Sequence, residues 1–269
     1  PALEGNTFDD QASLDRRLME LDGTATKERL GGNALLGVSL AYARLKAATE
    51  NLPLWQYLRT VFNFRSEKFV PPRLLALMIE GGLHGGGGSP FQEYLVLPRA
   101  TTVAQSVDWV TKLYRSLREL IRTRHGAGAT LLGAEGAFAP PLVDSLAPFA
   151  LITEAMTASG LSDKFDLGLD AAANNVSGKA EELLALYRQM LTTYPLNYLE
   201  DPFDEDDFEH FAALSTEWGE RVMVVGDDLT VTNIERMKLA QARRSVNAMI
   251  VKPNQIGTVS ETLEAAKQA

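Results

Sequence analysis

The sequence predicts an α/β fold, with a β/α layer or barrel following a mostly helical segment. Three observations carry the prediction. Strand-like and helix-like stretches alternate four times between Phe165 and Ala269. The first 60 or so residues show helical spacing of their apolar side chains. Pro71-Pro72 punctuates the change of character between the two parts. The division is expected at residues 1–68 and 69–269.

The elements can be justified in order. Thr7 and Asp10 resemble a capping box, and Leu14, Leu18 and Leu21 follow at helical spacing beyond it. Gly31 to Ala41 is small and apolar on every side, which predicts a buried helix in close contact with its neighbours. Val103, Val107, Val110, Leu113, Leu117 and Leu120 step by threes and fours, an amphipathic helix opened by Thr101 or Thr102. Four strand–helix units then follow: strand Phe165 to Asp170 with helix Lys179 to Leu191, and strand Pro195 to Glu200 with helix Phe208 to Trp218. The third is strand Arg221 to Asp227 with helix Ile234 to Ala242. The last is strand Val246 to Lys252 with a helix from Ser260. This alternation implies parallel pairing.

Composition narrows the chemistry. The chain has 269 residues, 45% hydrophobic and 23% charged, ordinary values for a globular protein. No apolar run approaches the roughly 20 residues of a membrane span. There is no cysteine, so a metal would sit on oxygen or imidazole ligands. A net charge of −9 argues against general nucleic-acid binding. No basic stretch followed by an apolar run opens the sequence, so no secretory signal is visible.

The four predicted strands end in Asp170, Glu200, Asp227 and Lys252, spaced 30, 27 and 25 residues apart. Parallel strands in register bring such ends to one rim, where barrel active sites are built. Clustered carboxylates repel one another unless a cation joins them, and a partly hydrated magnesium ion suits an all-oxygen donor set. A lysine beside bound metal is suited to act as a general base. Taken singly, Asp201 before Pro202 and Asp228 before Thr230 read as helix caps, and the acidic run Asp204 to Asp207 as a solvated face or helix start. His125 and His210 are assigned no role. The glycines at 85–88 lack the Lys-Ser or Lys-Thr of a P-loop.

These residues resemble the enolase family. The resemblance is carried by LEDP at Leu199 to Pro202 with Asp204-Glu205-Asp206-Asp207, GDDLTVTN at Gly226 to Asn233, and VKPNQIGT at Val251 to Thr258. It extends to Leu30–Ala41, Gly81-Gly82-Leu83-His84, Phe91-Gln92-Glu93-Tyr94, and GAEGAFAP at Gly133 to Pro140. It implies a TIM-like barrel preceded by a mostly helical remnant of the family's N-terminal α+β domain. It also implies magnesium-dependent, reversible dehydration of 2-phosphoglycerate to phosphoenolpyruvate in cytoplasmic glycolysis, by a homodimer or larger oligomer. By the same resemblance, Asp170, Glu200 and Asp227 match magnesium ligands. Lys252 matches the base that takes the C2 proton, and Glu135 the acid that protonates the leaving C3 hydroxyl. Glu93 matches the acid's partner carboxylate, and Gln92 and His84 match pocket residues, His84 on a mobile loop. Glu93, Glu200, Asp227 and Lys252 are expected to meet the substrate as well. The chemistry is coherent: an α-proton of a carboxylate is weakly acidic, and metal charge stabilises the dianion its removal leaves.

The match has departures. Ala134 stands where the family has Asp, Ala137 where it has Gly, and Glu80 where it has Asn. The stretch between Asp170 and Lys179 is shorter than the family's. The family also carries N-terminal strands, and two further barrel strands after the one bearing Lys252, that the 269 residues do not include, so the barrel domain is expected to be incomplete at its C-terminus. Two other readings stay open at the level of sequence: a different proton abstraction of the enolase superfamily, and a non-catalytic scaffold or binding protein.

Overall fold

A computed structural model describes residues 2–64, 70–86 and 88–269. The expected boundary at 68/69 and Gly87 of the glycine run lie outside the described residues. In chain order the elements are α1 (Gln11–Asp22), α2 (Gly32–Thr49), α3 (Leu54–Val61), β1 (Ala76–Glu80), β2 (Glu93–Pro98), α4 (Val103–His125) and α5 (Ala147–Ala158). There follow β3 (Phe165–Asp170), α6 (Ala180–Thr193), β4 (Leu196–Glu200), α7 (Phe208–Trp218) and β5 (Met223–Gly226). The chain ends with α8 (Ile234–Arg243), β6 (Ala248–Met249), α9 (Pro253–Ile256) and α10 (Val259–Gln268). None of the described helices is long and apolar enough to cross a membrane. The chain forms two compact units: Pro1–Lys68 with Gly226–Ala242 and Ala248–Ala269, and Phe69–Val225 with Arg243–Asn247.

In the first unit, α1 begins one residue after Asp10, whose carboxylate accepts the Ser13 N–H at 2.7 Å while Ser13 Oγ accepts the Asp10 N–H at 3.3 Å. The capping box is therefore Asp10 with Ser13, and Thr7 lies outside it. Leu14 and Leu18 pack on Leu35 of α2. Helix α2 is not buried all round as its composition suggested. Its buried stripe is Leu35, Ser39, Ala43 and Ala47, while Val38 and Leu45 are exposed. Small residues every four positions let neighbours approach that one face closely, and Tyr57 of α3 fills the space over Ala43 and Ala47. The same face reaches the end of the chain. Ser39 Oγ accepts the Val259 N–H at 3.0 Å, and the fully buried Asp15 accepts the Ser260 N–H at 2.9 Å. With Thr258 capping Glu261, three of the first N–H groups of α10 find acceptors, two of them on distant helices. Gln11 Nε2 donates to both Asp15 (3.1 Å) and Ser39 (3.0 Å), completing a buried polar network.

In the second unit the strands hydrogen-bond in chain order from β1 to β5. Strand β2 is antiparallel to β1 and β3, whereas β3, β4 and β5 are parallel. Helix α4 starts after Thr102, whose side chain accepts the Gln105 N–H at 3.2 Å. Its buried stripe is Ser106, Leu113, Leu117 and Ile121, and Val103 and Val107 are exposed. Thus the first turn of the predicted apolar face lies clear of the core.

Several strand ends and caps differ from the sequence reading. The expected strand 246–252 shortens to β6, because Pro253 opens α9 and makes Lys252 its extended N-terminal neighbour. Asp201 does not cap a helix: α7 starts at Phe208 and its cap is Asp207, from the acidic run expected to be a face or helix start. Asp228 is no cap either, since Asn233 Oδ1 accepts the N–H groups of Glu235 (2.9 Å) and Arg236 (3.2 Å) at the start of α8.

Along β3 the alternate residues Asp166, Gly168 and Asp170 share one face. A Cβ on Gly168 would sit 3.2–3.3 Å from Leu97, Tyr198 and Leu95, so a side chain here would press on Tyr198 of β4. At the N-terminal end of the strand Asp166 is bound by Arg73 and Arg99. Burial works against its charge, but the two guanidinium groups outweigh this and hold the carboxyl below its usual range. A lowered folded-state value contributes stability above the unfolded carboxyl value of about 3.9, and the contribution is lost as pH falls through the folded value. Asp166→Asn should therefore cost about 1–2 kcal/mol at neutral pH, the low end because both arginines are half exposed. It should also flatten the acid limb of the stability curve, read from urea unfolding midpoints between neutral pH and pH ~3. A parallel acid limb in variant and parent would refute the assignment.

Candidate active site

The second unit lines up four acids. Glu80 on β1 faces Glu93 on β2, Glu93 faces Asp170 on β3, and Asp170 faces Glu200 on β4. Directly opposed residues lie on one face about 4.5–5.5 Å apart, so four carboxylates here would repel strongly without compensation. Donors compensate the charge of Glu80, Asp170 and Glu200. Glu80, with no exposure, accepts the N–H groups of Glu135 (3.1 Å) and Ala137 (2.7 Å). Asp170 accepts the Gln92 amide (3.0 Å) and the Ala172 N–H (3.0 Å). Glu200 accepts the hydroxyl of Tyr198, two residues back on the same strand face. Burial, and then the charge of Glu200, push the Tyr198 phenol far above its ordinary value, so it remains a donor. Glu93 faces His84, whose Nδ1 lies 4.0 Å from Glu93 Oε1 and 3.7 Å from Glu135 Oε1.

His84, Glu93 and Glu135 offer ligand-capable atoms all within 4.8 Å of one another. The three come from different places: the turn after β1, the first residue of β2, and the Gly133 to Pro140 segment. That segment is anchored by its backbone, with Phe138 N–H donating to Met78 (3.2 Å) and Glu80 N–H to Phe138 (2.8 Å). Glu135 is the most exposed of the trio, its side chain 49% accessible against 18% for Glu93. An exposed carboxyl beside an imidazole and a second carboxylate can exchange a proton with a bound molecule.

The first unit holds the remaining predicted residues. Asp227 follows β5 directly, and the Lys252 ammonium binds its Oδ2 while the Gln255 amide donates to Oδ1 at 2.7 Å. Thr232 Oγ1 accepts the Lys252 N–H at 2.8 Å and donates to Gln255 Oε1 at 3.1 Å. Thr232 and its neighbour Val231 both have left-handed backbone, φ 55° and 42°, an unfavourable state for β-branched residues. Ala172 after β3 and Asp201 after β4 share the feature, with φ of 42° and 38°. Such outliers persist only where the surroundings enforce them, and they gather at functional sites.

Sequence reasoning thus named Asp170, Glu200, Asp227, Lys252, Glu135, Glu93, His84 and Gln92. Within the units the structure brings together His84, Glu93 and Glu135; Gln92, Asp170 and Glu200 beside Glu93; and Asp227 with Lys252. It adds Glu80, Tyr198, Thr232 and Gln255. Gln255 lay inside a motif already singled out, three residues after Lys252, one helical turn away. Nothing in residue spacing pointed to Tyr198 or Glu80 as partners.

Comparison with known proteins identifies the family. The family described as "Enolase, C-terminal TIM barrel domain" matches residues 68–182 and 174–269, and "Enolase, N-terminal domain" matches residues 1–58. The enolase of Methanocaldococcus jannaschii is 40% identical over 281 residues, covering 100% of this chain and 65% of its own length. That of Thermococcus kodakarensis is 38% identical over 282 residues, covering 99% and 64%. Enolase B of Dictyostelium discoideum is 36% identical over 293 residues, covering 100% and 66%. The chain therefore spans 64–66% of the length of these relatives. On this evidence the chain belongs to the enolase family, and its mixed α/β portion to that family's TIM barrel domain.

Proposed function

We propose that the full-length protein catalyses magnesium-dependent, reversible dehydration of 2-phosphoglycerate to phosphoenolpyruvate, the cytoplasmic glycolytic step. The observation that supports this most is the register row Glu93, Asp170 and Glu200, with His84 and Glu135 gathered at its Glu93 end. Residues 1–68 then belong to the helical part of the N-terminal domain and 69–269 to the barrel domain, in a homodimer or larger assembly.

Asp170 and Glu200 are buried carboxylates at the ends of adjacent parallel strands, an oxygen donor set that suits a hard cation. Together with Asp227 they would hold magnesium, which when bound neutralises charge on the substrate carboxylate. In the direction of dehydration, Lys252 Nζ, in its neutral amine form, takes the proton from C2 and becomes the ammonium. The Glu135 carboxyl delivers a proton to the C3 hydroxyl, the C3–O bond breaks, and water leaves as the C2–C3 double bond forms. His84 Nδ1 lies 3.7 Å from the Glu135 carboxylate and 4.0 Å from that of Glu93, and Gln92 orients Asp170 through its 3.0 Å amide contact. The strained turn at Val231 and Thr232 fixes the backbone of Lys252, so that the base approaches from a defined direction.

The test is turnover by the full-length protein of 2-phosphoglycerate against other 2-substituted carboxylic acids, with and without magnesium. Appearance of the phosphoenolpyruvate ultraviolet absorbance only with 2-phosphoglycerate and magnesium is expected. Turnover of a different acid alone would favour another proton abstraction of the superfamily, and no turnover of any acid would favour a binding role.

A further inference from the structure

Glu80 is the last residue of β1 and is completely buried. A carboxylate there is costly unless it is hydrogen-bonded, and its donors come from one short segment. Ala137 donates to Oε1 at 2.7 Å, and the Glu135 N–H reaches both oxygens at 3.1 and 3.2 Å. Gly133 closes the fit, because a Cβ there would lie 2.1 Å from Glu80 Oε2. The segment from Gly133 to Ala137 is thus wrapped around a single carboxylate.

The main chain docks this segment without help from that side chain. Phe138 bonds in both directions to the β1 backbone, and Gly133 N–H donates to Ala137 O at 2.9 Å. What Glu80 adds is the orientation of two peptide groups on either side of Gly136, whose φ of +87° makes the turn between them. The Glu135 side chain leaves from the first of those groups, half exposed and 3.7 Å from His84. Hydrogen bonds to a charged acceptor are the stronger kind, and they aim this backbone from beneath while leaving the side chain free to meet a substrate.

We propose that Glu80 is the positioning residue for Glu135, fixing the peptide from which the proton donor projects. The proposal rests on the reading of Glu135 as the acid for the leaving hydroxyl. Glu80→Gln keeps the volume but offers an amide N–H₂ where Oε2 now accepts the Glu135 N–H. Elimination should suffer and C2 proton removal by Lys252 should not. In the full-length protein, Glu80→Gln should lower turnover of 2-phosphoglycerate about ten- to hundredfold, the scale of a small misplacement of a catalytic group. Solvent exchange of the C2 proton and KM should stay within about twofold of the parent, so that the ratio of exchange to turnover rises. Gly133→Ala, which presses on the same contact from the other side, should show the same split. A purely structural role lowers exchange and turnover together, and equal losses or undiminished turnover would overturn the proposal.

Amide hydrogen exchange supplies a readout that needs no activity. Faster exchange at Glu135 and Ala137 in Glu80→Gln, with protection at Phe138 unchanged, is expected. Unchanged protection at both amides would remove the clamp even in an active enzyme. A parent protein with neither C2 exchange nor turnover would instead remove the donor reading of Glu135, and the positioning role with it, whatever the amides show.

Discussion

Replacing Lys252 by alanine should slow exchange of the C2 proton of 2-phosphoglycerate with solvent by about a thousandfold or more, the scale of losing a positioned general base. Magnesium affinity should hold steady or rise. The sign follows from the geometry: the Lys252 ammonium sits on one oxygen of Asp227, and removing that charge leaves the carboxylate more available to a cation. Folding should be little affected, because the lysine side chain is 46% exposed and its backbone N–H bond to Thr232 does not depend on it. Exchange followed by NMR in deuterated solvent, with magnesium titrated by calorimetry, reads both quantities. Equal exchange in variant and parent would exclude Lys252 as the base.

Asp227→Ala should act in the opposite sense. We expect magnesium affinity to fall about a hundredfold, with substrate affinity falling alongside it. The side chain is only 11% exposed and both its oxygens are engaged, one by Lys252 and one by Gln255. Its removal leaves an ammonium and an amide facing each other without their acceptor, so the loop from Gly226 to Thr232 should loosen as well. The double variant with Lys252→Ala should then be less impaired in metal binding than the product of the two single effects, since the lysine charge no longer opposes the cation. Unchanged magnesium affinity in Asp227→Ala would count against its role as a ligand.

What the sequence made legible was whatever a short-range pattern encodes. Strand β3 ends at Asp170, β4 at Glu200 and α7 runs from Phe208 to Trp218, each as the alternation of apolar and turn residues predicts. Lys252 proved not to end a strand, because a proline one residue on overrides the preceding β-branched run. Burial was read less well: α2 and α4 each present one face of their apolar surface to the core, and composition alone does not say which. At the candidate site the sequence singled out positions that lie in short motifs, such as Glu135, Asp227 and Lys252. It missed contacts made by long-range hydrogen bonds, as in Glu80 accepting from residues 55 and 57 positions away. A backbone N–H has no residue identity, so a side chain whose partners are peptide groups leaves no complementary letter in the sequence. Tyr198 was hidden for another reason: its place beside Gly168 and Glu200 is set by the strand register, which the sequence does not print.

The network joining Gln11, Asp15 and Ser39 to Val259 and Ser260 has a consequence for the order of events during synthesis. Its hydrogen bonds span 220 and 245 residues, so the two sides of the contact are made far apart in time. Helices α1 and α2 leave the ribosome early, carrying a carboxylate and a hydroxyl shaped to receive peptide groups that do not yet exist. Until α10 emerges, those polar groups must stay solvated, and the unit they belong to cannot reach its final packing. The intervening β-strands meanwhile have their partners at hand and can pair as they appear. Helices α1 and α2 are therefore late to complete their tertiary contacts, and an arrested nascent chain ending before Val259 should leave Asp15 and Ser39 open to water while strands β1 to β5 are already protected.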